Sequence, residues 1–227
     1  MTADWMPVTG LQVAIDGPSG SGKGTAAAML AERLGLPVLD SGRLYRHLAA
    51  GVVDRDIDPA DEAAVLAAFD DCMQSLAWDG EQGEMDAALR SEAVGATASQ
   101  VAAMQAVRDR LLTLQRDMAA KGCVMDGRDI GTVVLPDAQA KFYLTASVRE
   151  RAHRRWTQLR ALDGGVSFDS VIADLKERDR RDTEREHAPL RQAGDAVRID
   201  STTMRADEVA DRMLAVLERR NLIRAAG

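Results

Sequence analysis

The stretch from Leu11 to Leu34, LQVAIDGPSGSGKGTAAAMLAERL, constrains the fold more than any other part of the chain. Leu11, Val13, Ala14 and Ile15 form a short apolar run that ends at Asp16 and suits a buried strand. Gly17 to Gly22 supply a glycine-rich turn. Lys23 then opens a helix in which Met29, Leu30, Arg33 and Leu34 follow at helical spacing. Gly17-x-x-x-x-Gly22-Lys23 between a strand and a helix is a phosphate-binding loop. Its glycines let successive backbone N–H groups turn inward around a polyphosphate. The helix N-terminus adds partial positive charge and Lys23 a full one. Gly17, Pro18, Ser19, Gly20, Ser21, Gly22, Lys23, Gly24 and Thr25 are therefore the expected triphosphate-binding residues. Gly24 stands where a Ser or Thr usually supplies a hydroxyl to Mg²⁺, so Thr25 or water must serve instead.

The 227 residues suffice for one α/β domain with small inserts. A net charge of −7 argues against a generic nucleic-acid-binding surface. Cys72 and Cys123 are far apart and lie in no CxxC pattern, which reads as two reduced thiols. The opening MTADWMPVTG lacks the charged-then-apolar design of a signal, and no apolar run approaches the roughly 18 residues of a membrane span. The expectation is a cytoplasmic chain with no membrane or nucleic-acid partner. No extended apolar stripe is left over to demand a second subunit, so a monomer is expected.

Leu36-Pro37-Val38-Leu39 reads as a second buried strand ending at Asp40, with Ser41 capping a helix through Leu44, Tyr45, Leu48 and Val52. Ligands of doubly wound sheets meet residues just past the carboxyl ends of strands, which singles out Ser41, Tyr45 and Arg46. From Asp54 to about Ala98 the βα rhythm breaks. Pro59 and Asp61 start a helix, and Ser75 to Arg90 reads as a hairpin-like insert, a small lobe over one substrate. Ser99-Gln100-Val101 leads into a helix with Arg108 near its start. Cys123-Val124-Met125 is a third strand ending at Asp126, followed by Gly127-Arg128-Asp129-Ile130-Gly131-Thr132. An acid at a strand end beside a phosphate loop suits holding Mg²⁺-bound water or orienting a nucleophile, and Arg128 and Asp129 project into the same crevice.

Phe142-Tyr143-Leu144 is the fourth strand, and Ser147 caps an arginine-rich helix with Arg149, Arg151, Arg154 and Arg155. Ser167 or Asp169 starts another helix whose apolar stripe is Val171, Ile172 and Leu175. Steps of three and four continue it to Arg178, Asp182 and Arg185, with Arg181 alongside. The core-facing stripe thus becomes a line of guanidinium groups and a carboxylate. Val197 to Asp200 is a fifth strand, and Ser201-Thr202-Thr203 turns into a terminal amphipathic helix through Val209, Met213, Val216 and Leu217. Five short strands alternating with helices imply a parallel sheet with helices on both faces, plus two non-core lobes.

With those residues in place, the chain resembles the bacterial cytidylate kinases of the P-loop nucleoside monophosphate kinase family. The matching runs are IDGPSGSGKGT, LDSGRLYR, SQVAAM with Arg108, DGRDIGTVVLPDA, RAHRR, ERDRRDTERE…APL and IDSTTM. The resemblance implies a P-loop NTPase-type five-stranded sheet, with core 1–54, 98–149 and 190–227, a monophosphate-binding insert 55–97 and an arginine-rich lid 150–189. It implies transfer of the ATP γ-phosphoryl group to CMP or dCMP. Ser41, Tyr45, Arg46, Ser99, Arg108, Arg128, Asp129, Arg178 and Asp182 would line the CMP site. Of these, Ser99, Arg108 and Asp129 would read the cytosine edge, and Arg90 is a further candidate in the insert.

In the mechanism this suggests, Lys23 and the loop backbone hold the ATP phosphates, and Mg²⁺ is held largely through water near Thr25 and Asp126. Arg46 and Arg128 hold the acceptor phosphate, while Arg178, Arg181 and Arg185 close over the transferring group. Rivals on the same scaffold are kinases that accept UMP, AMP, GMP or shikimate. A non-catalytic nucleotide switch is the rival of a different class. Its guanine signature, Asn/Thr-Lys-x-Asp, is absent, because Gly22, Ala120, Ala140 and Leu175 precede the four lysines.

Overall fold

A computed structural model describes residues 4–74, 89, 91–160 and 165–226. The chain divides into two compact units, Asp40–Met118 and the remainder, Met1–Leu39 with Ala119–Gly227. The expected insert at 55–97 falls within the former. The expected hairpin at Ser75–Arg90, and Arg90 itself, lie outside the described residues apart from Leu89.

In the larger unit, β1 (Trp5–Pro7) pairs antiparallel with β7 (Ile223–Ala225), a two-stranded ribbon of the chain ends that the sequence reading does not include. The main sheet has the order β3-β4-β2-β5-β6, from β2 (Gln12–Asp16), β3 (Val38–Asp40), β4 (Cys123–Gly127), β5 (Ala140–Thr145) and β6 (Val197–Asp200). The five sequence-expected strands are all present. β2 lies parallel between β4 and β5, and Asp16 sits opposite Gly127 in the register. The carboxyl ends of β2 and β4 are therefore side by side, the position at which open α/β sheets place ligands.

α1 (Lys23–Leu34) and α8 (Ala206–Arg219) pack on this sheet. Their contacts exclude water from Leu11, Val13, Ile15, Leu30, Leu34, Phe142, Leu144, Ile199, Met213 and Leu217. α6 (Val148–Arg160) and α7 (Phe168–Glu184) share a smaller core of Ala152, Val171 and Leu175 with Trp156 and Phe168. Ser147 caps α6 by accepting from the Glu150 N–H, and Ser167 caps α7 by accepting from the Ser170 N–H.

The smaller unit is helical: α2 (Ser41–Asp54), α3 (Glu62–Gln74), α4 (Glu92–Val101) and α5 (Gln105–Ala119). Leu44, Leu48, Val52, Val65, Phe69, Val107 and Leu111 form its core. Two local expectations need correction here. Asp40, not Ser41, caps α2: its backbone is extended and its carboxylate accepts from the Arg43 N–H at 3.0 Å, so Ser41 becomes the first helical residue. The expected helix after Ser99-Gln100-Val101 is present as α5, but that run ends α4 rather than opening α5 directly, because Ser91 caps α4 and Val94, Ala98 and Val101 supply its buried stripe. Among the described residues, no helix is long and apolar enough to cross a membrane.

Candidate phosphoryl-transfer site

The phosphate loop leaves β2 at Gly17, whose φ of +152° and immediate approach to β5 admit no side chain: a Cβ there would lie 1.9 Å from the Leu144 carbonyl oxygen. The loop ends at Gly22, which caps α1, so Lys23 occupies the first helical position. Lys23 is 6% exposed, and its Nζ donates to the Pro18 carbonyl at 2.9 Å. Burial and the neighbouring Arg128 charge hold its amine well below the ordinary lysine range, against the opposing fields of Asp126, Asp16 and Asp182. A bound polyphosphate supplies the negative charge that favours the ammonium form.

Asp16, at the end of β2, accepts the Ile130 and Gly131 amides on its two oxygens, both at 2.8 Å. It thereby docks the segment after β4 against the start of the phosphate loop. Burial lifts its carboxyl to about 6, although those two amides favour the charged form. The segment is not a simple turn. Ile130–Val134 is π-helical: the Leu135 N–H reaches the Ile130 carbonyl at 2.7 Å, and the Asp129 carbonyl receives the Val133 and Val134 amides. Wide turns of this kind are frequent at functional sites. Here the turn begins directly after Arg128 and Asp129.

Arg128 Nε donates to Asp182 Oδ2 at 2.8 Å, joining the strand end to α7. Burial pushes the Asp182 carboxyl up, but the guanidinium charges of Arg128, Arg178 and Arg185 outweigh it and leave the carboxyl below its ordinary value. The polar continuation of the α7 stripe therefore exists as read from the sequence, with one difference. Arg185 is not helical; it is the residue that ends α7, with its backbone extended. It reaches Asp129 Oδ1 at 3.4 Å and donates to the Ala188 carbonyl. Arg181 stays on the helix, 3.7 Å from Glu177.

Gly17 to Thr25, Asp126, Arg128, Asp129, Arg178, Arg181, Asp182 and Arg185 all lie in one unit, in which Arg128, Arg178 and Arg185 surround Asp182 and Arg185 reaches Asp129, whereas Arg181 is paired, among the described residues, only with Glu177. The remaining predicted residues lie in the other unit, where the Arg108 guanidinium sits 5.9 Å from the centre of the Tyr45 ring. Arg108 is buried and donates to the Ala102 carbonyl, and Arg46 is half-buried on α2. The buried Ser99 Oγ has no hydrogen-bond partner among the described residues. Ser41, the first residue of α2, is buried.

For Mg²⁺ the relevant test is the donor set. A Cβ built on Gly24 would lie 4.0 Å from Asp126 Oδ2, so the buried Asp126 carboxylate faces the first turn of α1, where Thr25 is exposed. No cluster of three or more His, Cys, Asp or Glu able to hold a metal occurs among the described residues. One carboxylate with a nearby hydroxyl suits an ion that keeps most of its waters and takes its other ligands from phosphate, as Mg²⁺ does.

Sequence reasoning assigned no role to four side chains that shape the loop from behind. Arg151 and Arg154 of α6 donate to the Ser19 and Ser21 carbonyls at 3.0 and 3.3 Å. Asp179 of α7 receives Arg151, and Ser201 after β6 donates to the Ser21 carbonyl at 2.9 Å. The available signal was the three-residue spacing of Arg151 and Arg154, which puts both on one face of α6.

A family model described as cytidylate kinase matches residues 13–219. The chain is 49% identical over 218 residues to the cytidylate kinase of Pseudomonas aeruginosa (strain LESB58), covering 91% of this chain and 95% of that one. It is 48% identical over 220 residues to the cytidylate kinase of Stutzerimonas stutzeri (strain A1501), covering 92% and 96%. Among solved structures, an uncharacterized protein from Eubacterium ventriosum superposes with a TM-score of 0.53 at 17% identity, covering 92% of this chain and 98% of that one, which supports the fold alone. With its phosphate loop, its DGRD segment and its arginine-bearing α7, the chain belongs to the cytidylate kinase family.

Proposed function

We propose that this chain transfers the γ-phosphoryl group of ATP to CMP or dCMP, giving ADP and CDP or dCDP. The observation that supports this most directly is the cytidylate kinase family match over residues 13–219, which spans both the phosphate loop and the Arg128–Asp182 pair at 2.8 Å. Phosphoryl transfer demands little covalent help; it needs in-line positioning and charge stabilisation on the moving group. Lys23 and the loop backbone from Gly17 to Thr25 supply positive charge and N–H donors to the ATP phosphates. Asp126 and Thr25 would hold Mg²⁺ through water, and the ion when bound offsets phosphate charge.

On the acceptor side, Arg128 and Arg46 grip the phosphate of the monophosphate, for which a planar guanidinium provides bidentate geometry. Ser41, Tyr45, Ser99, Arg108 and Asp129 recognise the rest of CMP, Ser99, Arg108 and Asp129 at the cytosine edge, with Arg178 and Asp182 completing the set. Arg178, Arg181 and Arg185 neutralise charge on the transferring group and exclude water that would otherwise hydrolyse ATP. We place the enzyme in the cytoplasm as a monomer without nucleic-acid partners. The test is product formation: ATP, Mg²⁺ and CMP should yield ADP and CDP in equal amounts. Lys23→Ala and Arg178→Ala should each lower kcat by on the order of 10²–10⁴ with the fold intact. Near-normal turnover in folded Arg178→Ala would remove that residue from the mechanism.

A further inference from the structure

The loop that holds the phosphates is itself held, and its holder lies on two helices rather than in the loop. Arg151 is 4% exposed, yet nearly every direction of its guanidinium is used. Nε donates to the Ala146 carbonyl at 3.1 Å, Nη1 to the Ser19 carbonyl at 3.0 Å, and Nη1 and Nη2 to the two Asp179 oxygens at 3.0 and 2.6 Å. A two-pronged carboxylate contact of this kind fixes the plane of a guanidinium as well as its position. A guanidinium so engaged has few donors left for a ligand.

Its leverage falls on one peptide plane. In a trans peptide the C=O and the following N–H point in opposite directions. Holding the Ser19 carbonyl against Arg151 therefore turns the Gly20 N–H away from α6, in the manner a phosphate cradle requires. The backbone is seated directly on the helix: at Gly20, with φ +76°, a Cβ would come 3.0 Å from the Arg151 carbonyl oxygen and 3.1 Å from its Cβ. Asp179, which orients Arg151, follows Arg178 and precedes Asp182 by three residues on α7. The helix that carries the transfer arginines therefore also carries the group that orients the loop.

We propose that Arg151, oriented by Asp179, is a positioning residue that sets the Ser19–Gly20 peptide for triphosphate binding. This deepens the kinase reading and rests on its assignment of the loop to ATP. A pair that merely braced α6 against α7 would, on removal, lower stability and weaken both nucleotides alike. A positioning pair acts on the triphosphate side alone.

The experiment measures binding of ATP, inorganic tripolyphosphate and CMP by calorimetry, with Tm, for Arg151→Lys, Asp179→Ala and the double variant. Lysine keeps the charge but not the fork. Arg151→Lys should weaken ATP and tripolyphosphate by on the order of 10- to 100-fold, while CMP affinity stays within about twofold and the protein remains folded. Asp179→Ala should act in the same direction, and the double variant should be no worse than Arg151→Lys alone, because the two residues act as one unit. Should Arg151→Lys fail to fold, Asp179→Asn, at a side chain 23% exposed, decides the matter by the same ratios. Unchanged triphosphate binding in folded variants, or equal weakening of ATP and CMP, would overturn the proposal. Absence of CMP phosphorylation by the unsubstituted chain would sink the kinase reading, yet the triphosphate ratios would still decide this one.

Discussion

Asp16 is a carboxylate whose burial costs stability when it ionises, and its two amide partners only partly offset that. With its folded value raised to about 6, native Asp16 holds a proton over a range where the unfolded chain has already released it. Its contribution to stability is therefore present below the ordinary value of 3.8 and is lost as pH rises through about 6. Asp16→Asn cannot ionise, although it sets an amide NH₂ against one of the two N–H donors at a pH-independent cost. The Tm difference between parent and variant should shift in the variant's favour from about pH 4 to about pH 7 and then level off. A difference constant across that range would mean that Asp16 titrates normally. Asp129 belongs to the same scale. Asp129→Ala should weaken CMP far more than ATP by calorimetry, and equal loss for both would assign it a structural role instead. Residue identities at the strand ends were legible because a phosphate loop declares where the sheet opens. The service of Asp16 to Ile130 and Gly131 was not, since a hydrogen bond between segments more than a hundred residues apart leaves no local pattern.

At the scale of elements, strand and helix identities followed from periodicity, and the α7 stripe survived the move from sequence to structure because Val171, Leu175 and Asp182 are all buried on it. Helical spacing could not show that the helix would end before Arg185, which then turns toward Asp129. It also could not distinguish a lead-in from a helix end at Ser99, which only the Ser91 cap and the packing of Val94, Ala98 and Val101 decide. The junction between β2 and the loop is the element with least tolerance. Gly17→Ala would drive a Cβ into the Leu144 carbonyl on β5 from a left-handed-side φ, so it should lower unfolding free energy by on the order of 2–4 kcal/mol in urea. Parent-like stability for that variant would show that the loop can move off β5 at little cost.

For the whole molecule, the fold class was legible because alternation of short apolar runs with amphipathic helices leaves few topologies open. The β1–β7 ribbon was not, as three-residue strands with exposed faces carry no periodic signal. The compact unit Asp40–Met118 contains the expected insert at 55–97 together with flanking helices, because α2 and α5 pack with α3 through Leu48, Val65, Phe69 and Leu111, long-range contacts that sequence rhythm does not display. Substrate choice is also a property of the whole chain, since the residues proposed for base recognition and for phosphate chemistry lie far apart in it. The central claim is tested most directly by ADP release from ATP and Mg²⁺ with CMP, dCMP, UMP, AMP, GMP or shikimate as acceptor, against a control with none. The account predicts strong turnover with CMP and dCMP only. Preference for another acceptor would contradict the roles of Ser99, Arg108 and Asp129, and ATP binding without transfer to any acceptor would contradict the kinase assignment itself.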